Sequence, residues 1–196
     1  MENKFNEKES LILIQEMIEN SKARLGKSSF FFLLWGWLVL LASLTHFILL
    51  VTGYSNPWLP WPVIMVIGGI AASVKGYRMK NEKRVKTYLD TTMIYLWAGF
   101  GISLFFVLFI AGTGKITWEM SNILIVALYG MGSFVSGGIL KFRPLIIGGI
   151  FTWIIAIVSL FIAPEYSLLS VAVSIIVAYL IPGYMLQSKE KLQSHV

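Results

Sequence analysis

"FFFLLWGWLVLLASLTHFILLV", residues 30–51, decides the fold. It contains no Asp, Glu, Lys or Arg, and its one ionisable side chain is His46. A helix needs about 20 such residues to cross ~30 Å of hydrocarbon. The run lacks the alternation that a membrane β-barrel strand requires. A helix also satisfies its own backbone hydrogen bonds where no water can. The apolar segment extends over 30–52, and five more follow at 58–77, 91–111, 118–140, 144–162 and 166–186. The chain therefore reads as an all-α membrane protein with six transmembrane helices.

Composition agrees. The 196 residues are 57% hydrophobic and 13% charged, against about 25% charged in an ordinary soluble domain. With no cysteine, disulfides, a thiol nucleophile and thiolate metal sites are excluded. The net charge of +6 would suit nucleic acid in a soluble protein. In a membrane protein it reflects the Lys and Arg that collect in cytoplasmic loops.

The positions of those residues set an expected orientation. Lys4, Lys8, Lys22, Arg24 and Lys27 precede the first span. Lys75, Arg78, Lys80, Lys83, Arg84 and Lys86 lie at the second connection, Lys141 and Arg143 at the fourth, and Lys189 and Lys191 after the last span. Only Lys115 falls on the other side. This bias predicts a bacterial inner-membrane protein with both termini cytoplasmic. The first 29 residues are of mixed charge, so the first span is expected to be retained rather than cleaved. The expected organisation is a cytoplasmic helix and basic linker (1–29), a transmembrane domain (30–187) and a cytoplasmic tail (188–196).

The transmembrane domain shows an internal pattern. Trp37, Trp97 and Trp153 are each followed, after five residues, by Ser-Leu: Ser43, Ser103 and Ser159 with Leu44, Leu104 and Leu160. The copies lie in spans one, three and five, and the partner spans end "GYRMK" (76–80), "GGILK" (137–141) and "GYMLQ" (183–187). Similarity at a fixed interval marks a repeat architecture, here three tandem helical hairpins at 30–80, 90–141 and 144–187. On a helix Trp and the following Leu share a face, so all six Trp and Ser positions are expected to pack. Stripes of small residues, Gly68/Ala72/Gly76 on span two and Gly132/Ser136 with Ser133/Gly137 on span four, suit close approach of backbones.

Chemistry-bearing residues are sparse. No Ser-His-Asp arrangement, paired carboxylates or glycine-rich phosphate loop is present. Two separated histidines give no metal constellation, so no cofactor, metal or catalytic residue is expected. His46 is either a proton or ligand site or an imidazole bonded to a neighbouring helix. Ser73, Tyr95 and Ser133 complete a candidate intramembrane polar set. Asp90 is read as a helix N-cap. In "PWLPWP" (57–62) the prolines suit a first helical turn and Trp58 and Trp61 suit the outer interface.

Before the first span, Leu11, Ile14, Ile18 and Leu25 repeat at helical spacing, predicting an amphipathic helix on the inner leaflet. Lys22, Arg24, Lys27, Arg78, Lys80, Lys83, Arg84 and Lys86 form a candidate surface for anionic lipid or a cytoplasmic protein partner. A homo-oligomer is also compatible with the small-residue stripes, and no nucleic acid is expected.

"KESLILIQEMIENSKARL" (8–25) followed by "FLLWGWLVLLASLTHFIL" (32–49) resembles a family of small six-helix bacterial inner-membrane proteins with no assigned activity. The resemblance runs through the chain and is carried by residues 8–50. Members often lie beside small winged-helix regulators, which implies a sensing or accessory role and no catalytic residues. The expected function is a non-enzymatic accessory or sensor protein with a basic cytoplasmic face. A small permease or channel is the alternative.

Overall fold

The computed structural model describes the backbone of residues 7–80 and 88–194, and the side chains of residues 28–78, 88–164 and 166–192. Helices and turns are the only elements among them. They are α1 (Glu7–Val51), α2 (Pro60–Lys80), α3 (Tyr88–Gly112), α4 (Trp118–Ile139) and α5 (Arg143–Val158). A 3₁₀ turn, Ser159–Phe161, extends α5, and a second, Pro164–Tyr166, leads into α6 (Ser167–Ile175). A π-turn (Ile176–Leu180) joins α6 to α7 (Ile181–Ser194), making one unbroken rod.

Among the described residues, five stretches are long and apolar enough to cross a membrane: Ser28–Val51, Tyr88–Gly112, Trp118–Ile139, Arg143–Phe161 and Ser167–Leu192. The protein is thus a multi-pass helical membrane protein. Helix α2 is 21 residues long but is not among the five, because Pro60 and Pro62 open it and Lys75 and Arg78 close it.

Two local expectations change. The segment 7–27 is helical, but it is continuous with the first span instead of a separate element: α1 runs through 45 residues without a break. Gly26 lies inside it, and one interior glycine costs a helix only about 1 kcal/mol. Asp90 sits in the first turn of α3, which begins at Tyr88, rather than at its cap. There it still opposes the positive end of the helix dipole.

The most intimate packing joins α4 to α5 through glycines. A Cβ on Gly149 would lie 2.7 Å from the Gly130 carbonyl oxygen, and one on Gly137 would lie 2.7 Å from the Ile146 nitrogen. One turn beyond the Gly130–Gly149 contact, the Trp153 indole N–H donates to the Ala127 carbonyl at 3.0 Å. The turn between the helices closes with Phe142 N–H to Gly137 O (2.8 Å) and Lys141 N–H to Gly138 O (3.2 Å). Lys141 holds the left-handed conformation there, φ 50°.

Helix α1 lies antiparallel to the α6–α7 rod. Ser29, at the middle of α1, pairs with Glu190 (3.4 Å), Trp37 with Tyr184 (3.0 Å) and Ser43 with the Leu168 carbonyl (2.6 Å). The π-turn has an identifiable cause. Pro182 offers no N–H to the preceding turn, and its ring crowds that turn's carbonyls. Ser133 on α4 supplies a replacement donor: its hydroxyl lies 3.0 Å from Ala178 O and 2.9 Å from Leu145 O.

Helices α2 and α3 are held differently. The main packing of α2 is on α1 and that of α3 is on α4, with no comparable contact between α2 and α3 among the described residues.

Candidate functional site

The gap between α2 and α3 forms a cavity of about 520 Å³. Helix α1 contributes Phe31, Phe32, Trp35 and Val39, one stripe at helical spacing. Helix α3 contributes Met93, Trp97, Phe100 and Leu104 from its first two-thirds. Tyr129 of α4 and Tyr179 of the π-turn close the back. The stretch of α3 that lines it, Leu89 to Leu104, spans about 22 Å at ~1.5 Å per residue. Ser28, Gly76 and Asp90 line one end, and the Tyr129 and Tyr179 phenols stand at the back. That end is also where Lys75 and Arg78 project from α2. The Lys75 ammonium lies 5.3 Å from the centre of the Phe30 ring.

The back wall is a mesh of rings. Phe32 meets Trp97 (5.8 Å) and Tyr179 (5.4 Å), Trp97 meets Phe100 (5.3 Å), and Tyr129 meets both Phe100 and Tyr179 (5.5 Å each). Most of these contacts are edge-to-face, the arrangement ring quadrupoles favour. The Tyr179 hydroxyl is buried in this mesh with no hydrogen-bond partner. Gly132 leaves it room: a Cβ there would lie 3.5 Å from that oxygen.

The candidate polar set does not converge. His46 is half-buried between α1 and α2, and its Nδ1 accepts from the Trp61 indole at 2.9 Å. An indole nitrogen only donates, so the imidazole proton resides on Nε2. His46 thus has a partner on a neighbouring helix, and Trp61 serves it as a donor beyond any interfacial role; Trp58 remains exposed. Ser133 is fully buried between α4, α5 and the π-turn. Tyr95 is 75% exposed on α3, and Ser73 is exposed on α2.

The repeat positions occupy three unlike environments. Trp37 is 45% exposed, Trp97 belongs to the ring mesh, and Trp153 is clamped between α4 and α5. Ser43 bonds another helix, Ser159 bonds its own turn through Ile155 O (2.7 Å), and Ser103 is half-exposed. The small stripes also divide. Gly132, Ser133, Ser136 and Gly137 are all buried, whereas a Cβ on Gly76 would meet nothing within 4 Å.

Of the basic candidates, Arg78 is exposed at the end of α2. The Lys22, Arg24, Lys27 and Lys80 side chains lie outside the described residues, as do Lys83, Arg84 and Lys86 altogether. Among the described residues no three His, Cys, Asp or Glu side chains come together to hold a metal ion.

The spans and the cavity define a multi-pass helical membrane protein with an aromatic chamber that opens sideways. No family model, curated protein or solved structure matches the chain.

Proposed function

We propose that the chain is a six-span inner-membrane protein, built as three hairpins with both termini cytoplasmic, that acts without catalysis as an accessory or sensor protein. Helix α2 serves as the sixth span. The observation that carries the sensor reading is the continuity of α1. Phe31, Phe32 and Trp35 wall the cavity, and the same helix extends unbroken to Glu7. A change in how the cavity is filled therefore acts on a rod that leaves the apolar core at its basic end. The basic residues 22–27 and 78–86 then form the surface that meets anionic lipid or an acidic protein. The permease alternative draws support from the cavity itself, but its lining ends at Met65, Leu104 and Ile175, well short of the far ends of α1 and α3.

Two measurements test this. Reporters fused after Gln187 and within residues 79–86 should signal cytoplasm, and those near Gly53 and Gly114 the outside; an outside signal from the tail breaks the six-span arrangement. In lipid nanodiscs, Trp97→Ala on α3 should change amide hydrogen exchange across residues 7–27 and leave the loop 113–117 unaltered. Unchanged exchange at 7–27 would remove the sensor reading.

A further inference from the structure

The cavity has a polarity gradient, and that gradient selects a class of ligand. From Leu89 to Leu104 its walls are mostly ring, methyl and thioether groups; Ser28 and Asp90 stand at one end, and the Tyr129 and Tyr179 phenols lie at the back. Its ~22 Å length exceeds the ~15 Å half-thickness of a hydrocarbon core. Its open side lies between α2 and α3, so in a bilayer it faces lipid tails and not water. Of the described residues that line it, only Asp90 is charged; Lys75 and Arg78 neighbour Gly76 in sequence and are not part of the lining. Asp90 is already engaged within the chain.

We propose that this cavity holds one hydrocarbon chain of an amphiphile, entered sideways between α2 and α3, with its head at the end where Ser28 and Asp90 stand. The inference rests on the sensor reading above only for its consequence, since occupancy is measurable without reference to residues 7–27. A free long-chain carboxylate and the acyl chain of an anionic phospholipid share the required chemistry. The adaptable walls suit a flexible chain: Met65 and Met93 are among the lining residues, and thioethers fill irregular gaps.

Two glycines make a clean test. A Cβ on Gly101 or on Gly99 would meet nothing within 4 Å, so both accept a larger side chain without a clash. Gly101 lines the cavity and Gly99 does not. Binding of the fluorescent carboxylate cis-parinarate to the purified full chain in detergent is followed by energy transfer from tryptophan. Wild-type protein and Gly99→Phe should bind saturably and alike. Gly101→Phe, with an unchanged melting temperature, should bind about tenfold more weakly or worse, a loss of about 1.4 kcal/mol. Competition by phosphatidylglycerol, with none by oleate, would assign the chain to a phospholipid; the reverse would assign it to a free carboxylate. Equal binding by the Gly99 and Gly101 variants, or displacement of parinarate by tetraphenylphosphonium more readily than by oleate, would overturn the proposal. Carboxylate binding without altered exchange at residues 7–27 would leave the site standing and remove the sensor reading.

Discussion

The α4–α5 pair and the α2–α3 pair are joined differently: one is clamped and the other is apart. Lipid tails are as apolar as leucine, so hydrophobicity alone cannot bring two helices together in a bilayer. Close packing of small residues and interhelical hydrogen bonds do so. Helices α4 and α5 have both, with Gly130, Gly137 and Gly149 at the contact and the Trp153 indole bonded across it. The glycines of α3, Gly99 and Gly101, and Gly69 and Gly76 of α2 meet nothing. The difference separates a rigid half from an openable half, and the cavity lies where the two meet.

The largest expected effect comes from breaking the clamp. Gly149→Val puts a side chain against the Gly130 carbonyl and the Phe134 nitrogen, both 2.7 Å from the added Cβ. Overpacking of this kind costs about 1–3 kcal/mol, here at the upper end because the obstacle is backbone. Gly69→Val on α2 should leave stability in detergent unchanged within error. Equal losses would erase the contrast between the two halves.

Tryptophan truncation sharpens the same contrast. Trp153→Ala removes a clamped ring and should lower stability by about 3 kcal/mol, the low end for a large aromatic in a core. Trp37→Ala removes an exposed ring bonded to Tyr184 and should cost about 0.6 kcal/mol, the average for a hydrogen bond between membrane helices. Matching losses in a chemical unfolding series would restore the equivalence that the Trp-x₅-Ser-Leu spacing suggests.

Ser133→Ala is smaller but more diagnostic. It strips a donor from Ala178 O and should cost about 1–2 kcal/mol. In a Pro182→Ala background the main chain regains an N–H, so the loss should shrink. Additive losses in that double-mutant cycle would mean that Ser133 does not compensate for the proline. Smallest of all is Trp61→Phe, which deletes the donor to His46 and should cost about 0.6 kcal/mol. Its readout is freer motion of α2 against α1, measured by spin labels at exposed positions.

The helices were legible because each is encoded locally, by an uninterrupted apolar run. The partner of His46 was legible in kind, since a buried imidazole needs one, but Trp61 emerges only when the turn 52–59 folds α2 back. The cavity was not legible, because its rings come from four separate elements. One clue was present: the small residues of span four lie among buried positions, while those of span two mostly do not. Sequence spacing lists small residues but does not say which face a neighbour takes. The tryptophan repeat misled for the same reason. Identical spacing fixes the face within one helix and says nothing of what stands opposite.

The wide turn at Ile176–Leu180 acts as a phase shifter. A five-residue hydrogen-bonded ring in place of a four-residue one accommodates an extra residue, and one residue is about 100° of helical azimuth. Everything C-terminal to it is rotated relative to an uninterrupted helix. That rotation lets Tyr179 face the rings at the back of the cavity while, one turn later, Gly183 meets Leu33 and Phe32. Tyr184 meets Trp37 on the same side. Deleting Ile176 would therefore remove the extra residue and convert the wide turn into an ordinary helical one, leaving the same row of side chains from Ile181 onward against α1.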